Sequence, residues 1–187
     1  MGLGRSPSLA KPFIGMIFRQ DFPLREIEEA LALRFGPVDS QSPLLPFTFT
    51  QYHDREVGSP LWRKFMAFED LIRREDLITI KRITIELERS FSTGDDVCPR
   101  RTTNLDPGYF TLRQLVLTTT KDRAHRLFFG DGIYADLYLL YHSGRLQPLD
   151  RSYPDYRGPA VLTFFSQARA RFHLQLKSGP ISQNGED

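Results

Sequence analysis

The sequence predicts an α+β fold, and three observations predict it. From Lys11 to Asp106, apolar segments switch between strand-like and helix-like periodicity in the order strand, helix, strand, strand, helix, strand. Two runs of β-formers then flank Asp131-Gly132, a dipeptide that favours the positive backbone angles of a tight hairpin turn. A last helical stripe follows Pro159. The first six elements are the order of a ferredoxin-like βαββαβ unit. An antiparallel meander over about residues 124–148 and a terminal helix would extend it. The chain has 187 residues, which suits one domain able to bury roughly 70% of its unfolded surface. The expected organisation is a leader over 1–10, one domain over 11–177, and a loose tail over 178–187.

Lys11–Phe18 (KPFIGMIF) is apolar and aromatic, which suits a buried strand. Asp21 and Pro23 open a helix carrying Leu24, Ile27, Leu31 and Phe35 at helical spacing, and Gly36-Pro37 ends it. Residues 38–45 are expected to be loop. Phe47–Thr50 alternates apolar and polar residues as a strand does, and Trp62–Phe68 is the next strand. Leu77, Ile80, Thr84, Leu87 and Phe91 share one helical face, with Glu75 and Asp76 suited to the first turn. Arg101–Asp106 is expected to be a strand broken by Pro107-Gly108, with a short helix over Leu112–Leu117 opened by Thr111. Ser143-Gly144 turns the meander a second time. Val161, Phe165, Ala168, Phe172 and Leu176 form the stripe of the final helix.

Composition narrows the functional classes. Net charge is +2 with the signs interspersed, unlike the clustered basic face of a typical nucleic-acid binder. The lone Cys98 can close no intramolecular disulfide and points to a reducing, cytoplasmic setting. No apolar run approaches the roughly 20 residues of a membrane helix, so no membrane partner is expected. A phosphate-cradling GxxxxGK[ST] loop is missing, as are HExxH, paired CxxC and GxSxG. Gly130-Asp131-Gly132 is followed by a strand and is no dinucleotide fingerprint.

Residues able to do chemistry concentrate between Asn104 and Tyr156. With a two-residue turn at Asp131-Gly132, Gly130 faces Ile133, Phe129 faces Tyr134, Leu127 faces Asp136 and His125 faces Tyr138. His125 and Asp136 then share a face as diagonal neighbours, while Arg126 points the other way. A carboxylate beside an imidazole fixes its tautomer and raises its basicity, so Asp136 could orient His125 as a base or metal ligand. An ordinary sheet-stabilising ion pair reads the same way in sequence. NLDPGY places Asn104, Asp106 and Tyr109 around a turn, where Asp106 could act as acid or base. In YPDY, Asp155 and Tyr156 could close a pocket.

The stretches PFTFTQYHDREVG, NLDPGY with TKDRAHR, GDGIYAD and YPDYR occur in order. With them the chain resembles the bacterial and archaeal family catalogued as domain of unknown function 4416, from about Lys11 to Leu176. The resemblance implies a prokaryotic single-domain protein and brings no activity with it. His53 stands where the family commonly has a Tyr, and Asp136 where a Glu is common.

These readings converge on a polar pocket for a small anionic or phosphate-bearing ligand. Asp106, His125 and Asp136 would be its chemical centre, and Asn104, Tyr109, Lys121, Arg126, Tyr134, Asp155 and Tyr156 would bind. Its carboxylates would suit an oxygen-ligated Mg²⁺ or Mn²⁺ better than zinc. RNA binding on an aromatic sheet face is the competing class, and a structural or interaction role the third. Whether the protein is an enzyme stays open at this point.

Overall fold

Lys11–Arg19 form the central strand β1, in which every residue from Lys11 to Phe18 is buried. Such a run needs both sheet faces covered, and both are. In this computed structural model, which describes residues 8–49, 57, 59–94 and 100–178, the fold is a mixed α+β one. The strands after β1 are β2 (Val38–Gln41), β3 (Leu45–Phe47), β4 (Leu61–Phe68), β5 (Thr103–Phe110), β6 (Gln114–Thr119), β7 (Leu127–Gly130), β8 (Ile133–His142) and β9 (Arg145–Pro148). Helices α1 (Leu24–Phe35), α2 (Leu77–Ser90) and α3 (Pro159–Ser178) cover the sheet. Among the described residues no helix is long and apolar enough to cross a membrane.

The nine strands of the described residues join one antiparallel sheet in the order β2–β4–β1–β5–β6–β8–β7, with β3 also on β4 and β9 also on β8. Strand alternation sorts β1 between two cores. Ile14, Met16 and Phe18 pack with Ile27 and Leu31 of α1 and Leu77 and Ile80 of α2. Phe13 packs with Phe65 and Phe110, and with Phe165 and Phe172 of α3. Helix α1 ends at Gly36, whose φ of 87° suits glycine and whose N–H donates to Ala32 O.

Four expectations are corrected. Pro107-Gly108 breaks nothing, because β5 runs straight through it. Leu105 points its N–H and C=O away from β1, and by alternation Pro107's nitrogen lies on that same edge. Pairing with β6 starts only at Gly108, so the missing N–H costs no ladder bond. Glycine is needed next, since a Cβ there would meet Val116 O at 2.4 Å and the Phe13 ring at 2.6 Å. Second, Leu112–Leu117 is no helix: Gln114–Thr119 is β6, with Leu115, Val116 and Leu117 buried between the two cores. Thr111 Oγ1 does accept from Arg113 and Gln114 N–H, but it closes the β5–β6 hairpin instead of capping a helix. Third, the expected loop over 38–45 contains β2, paired to β4 through a bulge, and the strand expected at Phe47–Thr50 runs over Leu45–Phe47.

The fourth correction concerns the hairpin. Asp131 (φ 53°) and Gly132 (φ 72°) make the expected turn and Gly130 does face Ile133. The register then slips: Phe128, not Phe129, faces Tyr134, and Leu127 faces Ala135, not Asp136. Gly130, at φ 128°, supplies the bulge that frees Phe129 to pack into the core beneath α2. One extra residue reverses the faces, so Arg126 joins Asp136 instead of pointing away. Because β6 holds one edge of β8, β7 and β9 share the other edge at its two ends.

Candidate functional site

The sheet is split where β5 and β6 part. Their pairing covers only Gly108–Phe110, leaving the Asn104–Asp106 edge of β5 without a strand partner there. Helix α2 fills part of the gap. Lys81 Nζ donates to Leu105 O at 2.9 Å, and Glu88 Oε1 accepts from Leu105 N–H at 2.6 Å. Leu77, Lys81, Thr84 and Glu88 recur at i, i+4, i+7 and i+11, so these polar groups sit on the buried stripe of α2. What the helix leaves open is a cleft of about 680 Å³, bounded by β5, α2, the 117–126 segment, β8 and the 153–155 turn.

Its inner wall rests on Arg63, which β4 alternation places on the α3 face with Phe65. The guanidinium is fully buried between the Phe65 and Tyr156 rings, 4.5 and 5.1 Å from their centroids. Gly15 makes room for it, since a Cβ there would lie 2.8 Å from Nη2. Arg63 donates to Asp106 at 2.9 Å and to the Tyr156 hydroxyl at 2.7 Å, and its Nε stands 3.3 Å from Asp155 Oδ2. Asn104 Nδ2 donates to the other Asp106 oxygen at 2.8 Å, and Arg101 bridges Asn104 and Glu88.

Burial acts upward on the Asp106 carboxyl, but Arg63, Lys81 and the hydrogen bonds from Arg63 and Asn104 outweigh it and hold the group below the usual range. Asp155 behaves oppositely: burial pushes it up, Arg63 only partly offsets this, and Asp106 adds to it. Burial also raises Glu88 despite Lys81 and Arg101. The phenols of Tyr138 and Tyr156 are raised, chiefly by burial.

The outer wall centres on Asp136, whose side chain is 2% exposed. Its Oδ2 accepts from Arg126 Nε at 3.2 Å and lies 3.3 Å from His125 Nε2, while Oδ1 is buried with no hydrogen-bond partner. Arg126 also donates to Lys121 O and to the Tyr153 hydroxyl. Arg89 and Arg123 are exposed at the cleft and form no ion pair among the described residues.

The cleft gathers Asn104, Asp106, Lys121, Arg126, Asp136 and Asp155 from the sequence-predicted set. His125 stands behind Asp136 and does not line it; Tyr156 sits behind Asp155 on Arg63. Tyr109 is elsewhere, buried in the core beneath α1 and α2, and Tyr134 meets Phe128 edge to face outside the cleft. His53 and Cys98 fall outside the described residues. Sequence reasoning missed Arg63, Lys81, Glu88, Arg101 and Tyr138. Two of these signals were visible: an Arg on the apolar phase of Leu61–Phe68, and charges interrupting the α2 stripe. Among the described residues no three His, Cys, Asp or Glu side chains converge as a metal site.

The family model described as domain of unknown function (DUF4416) matches residues 8–172, so the chain belongs to that family. No curated protein and no solved structure matches it.

Proposed function

We propose that this member of the DUF4416 family binds a small anionic ligand, phosphate-bearing in the first instance, in the cleft where β5 and β6 separate. The observation that carries this reading is the charge of the cleft. Lys81, Arg89, Arg101, Lys121, Arg123 and Arg126 line it against Glu88, Asp106, Asp136 and Asp155. The carboxylates are largely matched to guanidinium groups at the walls, while Arg89 and Arg123 flank the opening. A volume of about 680 Å³ lies within the range that small-molecule sites occupy. Asp106 and Asp136 would face the ligand, with His125 behind Asp136. The existing pairing of these carboxylates favours an anion over a resident Mg²⁺ or Mn²⁺.

The order β2–β4–β1–β5, all antiparallel with α1 and α2 on one face, supports reading the N-terminal half as ferredoxin-like. RNA-recognition sheets leave one aromatic face open to bases. Here Phe13, Phe65 and Phe110 lie under α3, which leaves the RNA reading without its platform.

The test is calorimetry and thermal shift with inorganic phosphate, sugar phosphates and nucleotides, on the wild type and on Arg123→Ala. Binding by the wild type, weakened at least about tenfold in the variant and by added salt, supports the reading. No response to any phosphate-bearing compound at low salt, with RNA bound instead, would overturn it.

A further inference from the structure

We propose that Asp106 and Asp155 form a proton-sharing carboxyl pair at the inner wall of the cleft, with Arg63 as the positioning residue that holds both. This deepens the anion-binding reading and rests on it for the source of a substrate. The geometry is one guanidinium between two carboxyl groups, from strands and a turn distant in sequence. Arg63 donates a hydrogen bond to Asp106 at 2.9 Å, and its Nε stands 3.3 Å from Asp155 as an ion-pair contact without a hydrogen bond. Arg63 itself does not line the cleft, whereas both carboxyl groups do. One guanidinium faces two carboxyl groups, Asp155 at 7% exposure and Asp106 at 28%. Among the described residues the only further cation, Lys81, acts on the Asp106 side, so the arrangement favours a single proton on the pair.

The remaining neighbours decide where that proton rests. Asn104 donates to Asp106, and from α2 Lys81 adds a favourable charge near it while Glu88 adds an unfavourable one. Asp155 has the 153–156 turn around it, whose Asp155 and Tyr156 N–H groups partly offset its burial. The Tyr156 hydroxyl accepts from Arg63, and the unfavourable charge at Asp155 comes from Asp106. Tyr138 of β8 feels Asp106 and Asp136 and stays protonated. Asp155, the more buried carboxyl at 7% exposure against 28% for Asp106, is therefore the one that keeps the proton. Asp136 also lines the cleft, and its buried Oδ1 makes no hydrogen bond, with Arg151 Nε 3.8 Å away.

Such a pair moves protons without changing its total charge. A proton leaving the ligand goes to the Asp106 carboxylate, and a proton delivered to the ligand comes from the Asp155 carboxyl. The pair ends with its one proton on Asp106, and transfer of that proton from Asp106 to Asp155 restores the starting state. Neither an oxidant nor a covalent intermediate is required. Two environments pushing two carboxyl groups apart is how acid and base roles are divided on one protein.

The experiment is a ¹³C carboxyl NMR titration of the whole chain labelled at aspartate, with Asp155→Asn to assign the resonance. Asp155 is expected to titrate above the ordinary carboxylate range. In Asp106→Asn its midpoint should fall, because the neighbouring negative charge is gone. Both groups fully ionised above about pH 5 in the wild type, or an Asp155 midpoint unmoved by Asp106→Asn, would overturn the pair. The wild-type titration decides even if a variant fails to fold. Inorganic phosphate is then added and amide shifts over 119–126 are followed. No phosphate response with the shared proton intact removes the ligand reading alone, and a response with both carboxyls ionised removes the pair alone.

Discussion

His125 Nε2 lies 3.3 Å from Asp136 Oδ2, and Arg126 Nε reaches the same oxygen at 3.2 Å. One carboxylate therefore serves two adjacent residues that strict strand alternation would send to opposite faces. The two contacts differ in environment. The Arg126 side chain is 5% exposed and that of His125 is 36% exposed.

Removal of Asp136 should cost far more than removal of His125. Asp136→Ala strands a buried guanidinium and should destabilise by about 3–5 kcal/mol. His125→Ala breaks a solvent-screened contact and should cost under about 1 kcal/mol. Denaturant unfolding of the two variants checks this, and equal losses would show that Arg126 finds its counter-charge elsewhere.

Glu88 stands in for a missing strand by accepting the Leu105 N–H. Glu88→Gln keeps an acceptor and should stay within about 1 kcal/mol of wild type, while Glu88→Leu orphans that N–H and should cost about 1–3 kcal/mol. Hydrogen exchange at Leu105 is the direct readout: protection should survive the first change and fall in the second.

Two glycines separate space from conformation. Gly108→Ala drives a Cβ into Val116 O and the Phe13 ring, an overpacking cost of about 1–3 kcal/mol or more. Gly132→Ala has open space around it and only its φ of 72° against it, worth about 1–2 kcal/mol. The ranking can be read from melting temperatures, and a harmless Gly108→Ala would mean that β5 and β6 can shift apart.

The dependence of stability on pH has a sign set by Asp155. Its folded pKa is raised, so its contribution is fully present below the unfolded value of about 3.9 and is lost as pH rises through the folded value. Asp106 is lowered and works in the opposite sense, losing its contribution as pH falls through its folded value. Asp155→Asn should therefore gain on the wild type as pH rises from about 4 towards neutrality, whatever constant offset the substitution brings. Parallel stability curves for the two proteins would refute the assignment.

Much of the fold was legible because burial patterns are local. The apolar run of β1, the stripes of α1 and α2, the stop at Gly36 and the turns at Asp131-Gly132 and Ser143-Gly144 all follow from residues within one or two turns of one another. The failures share a cause. Pro107-Gly108 looks like a break unless the absence of β6 beside it is known. Leu112–Leu117 looks like a helix unless the hairpin partner is known. The slip after Gly130 is invisible without the α2 core that takes Phe129.

By itself, then, the sequence determined an α+β chain, most of its elements, and the stretch in which its reactive side chains lie. Only tertiary structure decided which of those side chains meet. Asp106 and Asp155 are joined through Arg63, a residue from a strand with no polar motif around it. Tyr109 and Tyr134 were drawn away to other packing. The physical reason is that periodicity assigns a residue to a face, whereas a charge cluster depends on strand order and on where pairing stops. Those are set by the summed burial of both cores, which no short stretch of sequence contains.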